Sequence, residues 1–191
     1  MRMDTRQLIL ETAERLFMQH GYASVSMSQI VAEVSKVRKL TTPAVYYHFA
    51  SKEALYLAVI LEMTARMGQS IGAAAAVEGD VHARVLSVAR VLTREQPKNF
   101  ERMSMDIEEH LGAPGREQVE HAFLEHILGP IVGVFSPVAA EGRLRVGLTP
   151  FVAAFALLGL LNGATERPHA PPPDVAAAIA VSILLDGVLL P

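Results

Sequence analysis

The stretch Thr41-Thr42-Pro43-Ala44-Val45-Tyr46-Tyr47-His48-Phe49, residues 41–49, decides the fold of this chain. A threonine followed by proline within the first turn is typical of a helix start, since proline lacks an N–H that this position leaves unpaired. The segment is crowded with hydroxyls and aromatic rings, and it is too short to be stable alone. It therefore indicates either a polar connector before a longer helix or a short helix whose exposed surface binds a partner.

Two further helices are predicted before this stretch. Apolar residues recur at helical spacing over residues 5–19, and Gly21 follows where a helix-ending glycine belongs. Ser26 and Gln29 have the spacing of a capping box. Four residues then continue one apolar face of a second helix, namely Ile30, Val31, Val34 and Val37. Two helices followed by a turn and a short helix predict a helix-turn-helix unit, whose second helix enters the DNA major groove.

The order of these motifs resembles the tetracycline-repressor-like (TetR) family of transcriptional regulators. The resemblance covers about the first sixty residues. The matching segments are residues 9–13 (ILETA), 16–17 (LF), 20–22 (HGY), 26–31 (SMSQIV), 43–49 (PAVYYHF) and 51–55 (SKEAL). The resemblance implies a DNA-binding head, a helical body that binds a small-molecule effector, and a homodimer that reads a palindromic operator.

Residue roles in the head follow from the same resemblance. Those expected near base edges are Thr41, Thr42, Pro43 and Ala44, and those expected near phosphates are Ser26, Tyr46, Tyr47, His48 and Lys52. Threonine hydroxyls can bond to bases, and small methyl groups can meet a thymine methyl. For Tyr46 and His48, packing against the first helix is the alternative. Val45 and Phe49 are predicted to belong to the core.

The turn before the recognition stretch departs from the family pattern. It holds about four residues more than usual and lacks the usual turn glycine. Four residues are roughly one helical turn, so a longer second helix is the simplest explanation. This places Lys36, Arg38 and Lys39 near the turn, where they are either extra phosphate contacts or a solvated basic loop.

Charge and composition limit the class of protein. Residues 1–52 carry seven basic and four acidic side chains, a formal charge of +3, whereas the remainder carries ten basic and sixteen acidic ones, or −6. A basic head on an acidic body fits DNA binding at one end. The chain has no cysteine, which excludes a thiol switch, and its longest apolar run, residues 151–161, is too short to span a bilayer. We therefore expect a cytoplasmic protein.

The whole chain is predicted to be all-α, with a head over residues 1–50 and an effector-binding and dimerisation body over residues 51–191. A long helix is expected from Ser51 to about Gln69, followed by a loop or frayed end over residues 68–79, and Gly129-Pro130 is expected to kink a later helix. Residues 150–163 and 174–190 are apolar nearly all round, as expected for helices buried on several sides. A mean hydropathy of +0.29 also suggests apolar surface between subunits, so these two segments are predicted to form the dimer.

An effector pocket is predicted in the body. The candidate residues are soft or aromatic side chains at positions expected to be interior, namely Met67, Met103, Ile107, His110, Phe123 and Phe155. Plain core packing is the alternative for each of them. A small apolar or amphipathic effector is the natural expectation.

Other chemistries have weaker support. Asp106, Glu109 and His110 form one acidic and imidazole group at helical spacing, and residues 121–126 hold another, but neither matches a known metal signature. There is no glycine-rich phosphate loop and no nucleophile elbow, so no metal, cofactor or catalytic residue is predicted. The competing class is a helical enzyme or small-molecule-binding protein with a vestigial head.

Overall fold

The computed structural model describes residues 4–95, 97, 99–165 and 170–188. Within these ranges it is helical and contains no strand, which confirms the all-α prediction. The helices are α1 (Thr5–His20), α2 (Met27–Val37), α3 (Thr42–His48), α4 (Lys52–Ala75), α5 (Val81–Glu95), α6 (Phe100–His110), α7 (Ala113–Ala122), a π-helix (Phe123–Leu128), α8 (Gly129–Ala140), α9 (Pro150–Thr165) and α10 (Pro173–Val188).

The chain divides into two compact units. The first unit comprises Met1–Met63 and Pro97–His121, and the second comprises Thr64–Gln96 and Ala122–Pro191. Both α4 and the helical stretch from α7 to α8 continue from one unit into the other along the chain. Packing thus groups residues 97–121 with the helix-turn-helix, whereas the boundary at residue 50 remains a prediction about function.

The first unit has a core formed by α1 to α4. Ile9, Phe17, Ile30, Val45 and Tyr56 are at most 1% exposed in it. Local signals set the helix limits: Gly21 ends α1 with a φ of 82°, and Ser26 and Gln29 form the predicted capping box of α2. Val45 and Phe49 are buried as predicted, so they fix α3 to the helices beneath it.

The second unit has a core between α5, α8, α9 and α10. Val88, Phe135, Leu157 and Val181 are fully buried there. Small residues such as Ala177 let α10 approach its neighbours closely. The core uses only one side of α9 and α10, and the other side of both helices is exposed.

Two predictions in this part of the chain were wrong, the loop after residue 68 and the burial of Val37. The segment predicted as a loop from residue 68 is helical as far as Ala75, because alanine is the strongest helix former. The interruption predicted at Gly129-Pro130 occurs there: the π-helix Phe123–Leu128 ends and α8 begins at Gly129, with Pro130 in its first turn. Val37 was predicted on the buried face of α2 but is 73% exposed, because it is the last residue of the helix.

One helical stretch, Ala113–Ala140, is long and apolar enough to cross a membrane by length and composition alone. It contains α7, the π-helix and α8. Of its most apolar 18-residue segment, 39% is buried inside the chain. The core helix of a globular protein can be equally long and apolar. The stretch is therefore weak evidence for a membrane span.

Candidate DNA-binding site

Helix α3 presents its polar residues outward. Thr41, Thr42 and Pro43 are exposed at its start, and Tyr46 and Tyr47 are 45% and 87% exposed. Such exposure of large aromatic rings beside buried Val45 leaves a face that nothing else in the described chain covers. The start of α3 can therefore approach a ligand as large as a duplex.

The remaining predicted residues of α3 are less open. Ala44 and His48 are half-buried, and the His48 ring meets the Tyr47 ring edge-on, with 5.5 Å between ring centroids. Thr41 occupies the N-cap position of α3, but its hydroxyl makes no capping hydrogen bond. That hydroxyl is consequently available to an external partner.

Ser26 is engaged within the protein. Its hydroxyl accepts a hydrogen bond from the Gln29 N–H at 3.2 Å and donates to Gln29 Oε1 at 2.9 Å. The Ser26 N–H donates to the same Oε1 atom at 2.7 Å. A phosphate could use the Ser26 hydroxyl only if this capping box opened.

Lys52 is also engaged, by an aromatic ring. Its ammonium lies 4.0 Å from the centroid of the Tyr22 ring, a cation–π contact. Burial lowers the pKa of Lys52, while the negative charge of Asp106 acts in the opposite direction. The predicted phosphate contact of Lys52 would require its side chain to leave the ring or to extend past it.

The turn between α2 and α3 is built without glycine. Arg38 ends α2 in an extended conformation, with φ −143° and ψ 121°, and residues 38–41 contain no left-handed φ. The Ser35 hydroxyl donates to the Leu40 carbonyl at 3.0 Å and closes the turn. Arg38 Nη1 donates to Thr5 Oγ1 at 2.8 Å, which ties the turn to the start of α1.

Helix α6 docks on the end of α1. The sequence did not predict that this helix supports the DNA-binding head. Asn99 Nδ2 and Arg102 Nη2 donate to the Met18 carbonyl at 2.7 and 2.8 Å, satisfying a carbonyl near the end of α1. Asp106 Oδ2 accepts a hydrogen bond from the Tyr22 N–H at 2.9 Å. None of the residues of α6 is fully buried, so polar contacts contribute much of this docking.

His110 extends the same contact. Its ring stacks on the Tyr22 ring with 4.6 Å between centroids, and Tyr22 in turn touches Phe17 and Tyr56. Burial, and then the charge of Glu53, raise the pKa of Tyr22. The hydrogen bonds that dock α6 join residues 81 to 84 positions apart, and no pattern in the sequence indicates which long-range partner a helix takes.

The six predicted effector residues fall into three groups. Met103, Ile107 and His110 belong to the first unit, where Met103 and Ile107 pack on the core of the head. Met67 and Phe123 pack on the core of the second unit. Phe155, predicted for an interior, is 45% exposed beside Phe151 on α9.

Two other features of the described chain bear on ligand binding. An open groove of about 330 Å³ between α1 and α2 is lined by Leu16, His20 and Gln29 among others, and by none of the six effector candidates. In the part of the chain that the structure describes, no three His, Cys, Asp or Glu side chains come together to hold a metal ion. Asp106 and His110, considered as metal ligands, contact Tyr22 instead.

Helices α1 to α3 share a buried core, and α3, the second helix of the α2–turn–α3 pair, presents an exposed polar surface. This arrangement defines the helix-turn-helix class of DNA-binding proteins. A family model described as "Bacterial regulatory proteins, tetR family" matches residues 9–59. Over 168 residues the chain is 31% identical to the HTH-type transcriptional repressor AcnR of Corynebacterium efficiens, covering 86% of this chain and 82% of that relative. The chain belongs to the TetR family of transcriptional regulators, which confirms a regulator rather than an enzyme.

Solved structures share the fold. AibR, in complex with isovaleryl coenzyme A and operator DNA, matches with a TM-score of 0.71 and 20% identity, covering 94% of this chain and 97% of that one. SmeT, the repressor of a Stenotrophomonas maltophilia multidrug efflux pump, matches in its triclosan complex with a TM-score of 0.66 and 23% identity, covering 97% and 92%. At these identities the matches show a common architecture.

Proposed function

We propose that the protein is a homodimeric repressor that leaves a palindromic operator when a small apolar or amphipathic molecule binds in its body. The exposed start of α3 above buried Val45 is the observation that carries this proposal. Repression is supported by the similarity to the repressor AcnR, and ligand binding by the AibR and SmeT complexes. A repressor of this kind works in the cytoplasm, where its operator is.

Base and backbone contacts divide along α3. Thr41, Thr42, Pro43 and Ala44 meet base edges, because they stand at the exposed start of the helix. Tyr46, Tyr47 and His48 meet phosphates, which set register without reading sequence. Ser26 and Lys52 join them after releasing the Gln29 and Tyr22 contacts described above.

The dimer forms through α9 and α10. Their exposed sides carry six large apolar residues, namely Phe151, Val152, Phe155, Val175, Ile179 and Ile183. Val175, Ile179 and Ile183 follow one another at four-residue spacing, so they form one stripe along α10. A second copy of the chain is the partner whose own apolar stripes would cover them. Residues 189 and 190 of the predicted segment lie outside the described residues.

The effector acts through helices that belong to both units along the chain. Met67 on α4 and Phe123 on the π-helix are the candidates for effector contact in the second unit. Met103, Ile107 and His110 serve the docking of α6 on the head within the first unit. A coupling of about 1 to 3 kcal/mol would loosen operator binding roughly 5- to 150-fold.

Selection of random duplex DNA by the purified protein tests this function. We expect a palindromic sequence to be enriched and to bind at least about a thousandfold more tightly than its scramble in an anisotropy titration. Thr42→Ala should reduce this ratio, whereas Tyr47→Phe should leave sequence preference unchanged. Triclosan and isovaleryl coenzyme A are the first molecules to titrate for release. Enrichment of no sequence by the ligand-free protein would contradict the proposal.

The alternative function is that of a helical enzyme or small-molecule-binding protein with a vestigial DNA-binding head. Membership of the TetR family counts against it. It predicts little sequence preference, that is, equal affinity for any selected duplex and for its scramble, which the same titrations detect.

A further inference from the structure

The end of α2 and the turn after it carry three basic residues, and the structure gives them different contacts. Lys36 Nζ lies 2.6 Å from Glu33 Oε1, so its charge is paired along α2. Arg38 is half-buried and donates to Thr5 Oγ1. Lys39 is exposed. A solvated basic loop would not distribute its charges in this ordered way.

The side chains of the extended turn point alternately to opposite sides of the backbone, which explains why Arg38 and Lys39 differ in their contacts. Arg38 has extended dihedral angles, and consecutive side chains of extended backbone point to opposite sides. Arg38 faces α1 and Leu40 packs on the core of the head, so Lys39 between them faces outward. The Ser35–Leu40 hydrogen bond of 3.0 Å holds this register.

The position of Lys39 relative to α3 indicates its partner. Lys39 precedes Thr41 by two residues, so the two Cα atoms lie within about 7 Å of each other. When the start of α3 enters a major groove, a side chain at this distance reaches the phosphates at the edge of the groove. A lysine is a compact, flexible point charge, which suits one phosphate without demanding a fixed geometry.

We propose that Lys39 binds a phosphate of the DNA backbone, and that Arg38 and Ser35 are positioning residues that hold Lys39 outward. This inference rests on the proposed function, since the phosphate belongs to the operator duplex. Of the three basic residues, only Lys39 then contacts a phosphate directly, which gives one such contact in each DNA-binding head. Three independent phosphate contacts would lower the salt slope about three times as much when removed.

The test is an anisotropy titration over a series of salt concentrations. The probes are the duplex enriched from the random pool and its scramble, with wild-type protein, Lys39→Ala, Lys39→Arg and Lys36→Ala. We expect Lys39→Ala to reduce the slope of log affinity against log salt by about 0.9 per bound head, equally on both duplexes. Lys39→Arg should restore the slope. Lys36→Ala, which removes the same charge from the last turn of α2, three residues away, should change it less because Lys36 is paired with Glu33.

Positioning by Arg38 is tested without changing charge. Thr5→Val removes the oxygen to which Arg38 donates, and it should diminish the effect of a simultaneous Lys39→Ala change, since the two act in one chain of contacts. Strictly additive effects would overturn the positioning role. A wild-type slope in Lys39→Ala would overturn the phosphate contact and leave the proposed function standing. A wild-type protein without salt-dependent DNA binding would overturn both.

Discussion

A Cβ atom placed on Gly68 of α4 would lie 2.7 Å from the Cβ atom and 2.8 Å from the carbonyl oxygen of His126 in the π-helix. Both residues belong to the second unit. Side chains do not occur this close to another backbone, so α4 and the π-helix pack at a distance that only glycine allows. The contact falls within the π-helix Phe123–Leu128, whose turns are wider than those of an α-helix.

Gly68→Ala should therefore destabilise the protein, although alanine is the better helix former. The clash with the His126 backbone should cost about 1 to 3 kcal/mol of unfolding free energy, because the neighbouring atom is not the end of a flexible side chain. Gly72→Ala on the same helix is the matched control. Nothing lies within 4 Å of its added Cβ, so it should stabilise by about 0.5 to 1 kcal/mol. Urea unfolding of the two variants measures the contrast, and equal changes would contradict the close packing.

Asp106→Ala tests the docking of α6. The change removes the acceptor of the half-buried Tyr22 N–H, which should cost about 1 to 3 kcal/mol of unfolding free energy. Glu109→Ala, at a carboxylate 63% exposed on the same helix, should stay within about 0.5 kcal/mol of the wild type. Amide hydrogen exchange at Tyr22 should also quicken in the first variant alone. Unchanged protection of that amide would mean that α6 contributes little to the head.

Local features of the head were readable from the sequence because their partners are near in sequence. The Ser26–Gln29 capping box and the end of α1 at Gly21 depend on residues three or four positions apart. Burial of Val45 follows from helical spacing. The exposure of Val37 was not readable, since the apolar period continues past the point where the helix leaves the core.

Other features depend on contacts far apart in the chain. The docking of Asp106 on Tyr22 joins residues 84 positions apart, and no local pattern specifies it. The alanines at residues 73–75 were interpreted as a loop because they are small, but their helix propensity is high. The Lys52–Tyr22 contact likewise turns a residue expected at a phosphate towards a ring.

Ile179→Glu tests the proposed dimer. Ile179 is 48% exposed in the middle of the α10 stripe, so a second copy would bury an unpaired carboxylate there at a cost of several kcal/mol. We expect sedimentation equilibrium to show a dimer for the wild type and a monomer for this variant, with unchanged far-ultraviolet circular dichroism. Ser136→Glu adds the same charge at an exposed position of α8 and should remain dimeric. Persistence of the dimer in Ile179→Glu would place the interface elsewhere.

Tyr56 predicts how stability depends on alkaline pH. Burial raises the pKa of this fully buried tyrosine far above its ordinary value of 10.0, and the charge of Asp106 acts in the same direction. The unfolded chain therefore loses the Tyr56 proton at lower pH than the folded protein. Stability is complete below the ordinary pKa and falls as pH rises above it, because deprotonation then favours the unfolded chain.

Tyr56→Phe should remove much of this alkaline loss. Its cost near neutral pH should be small, about 0.5 to 1.5 kcal/mol, because the hydrogen bond from Tyr56 to the Met103 carbonyl is long, at 3.5 Å. Urea midpoints measured between about pH 8 and pH 11 give the dependence. Tyr47→Phe, a change at a side chain 87% exposed, should keep the wild-type profile. If Tyr56→Phe loses stability with rising pH as steeply as Tyr47→Phe does, another group controls the alkaline limit, and Tyr22, whose pKa burial also raises, is the next to replace.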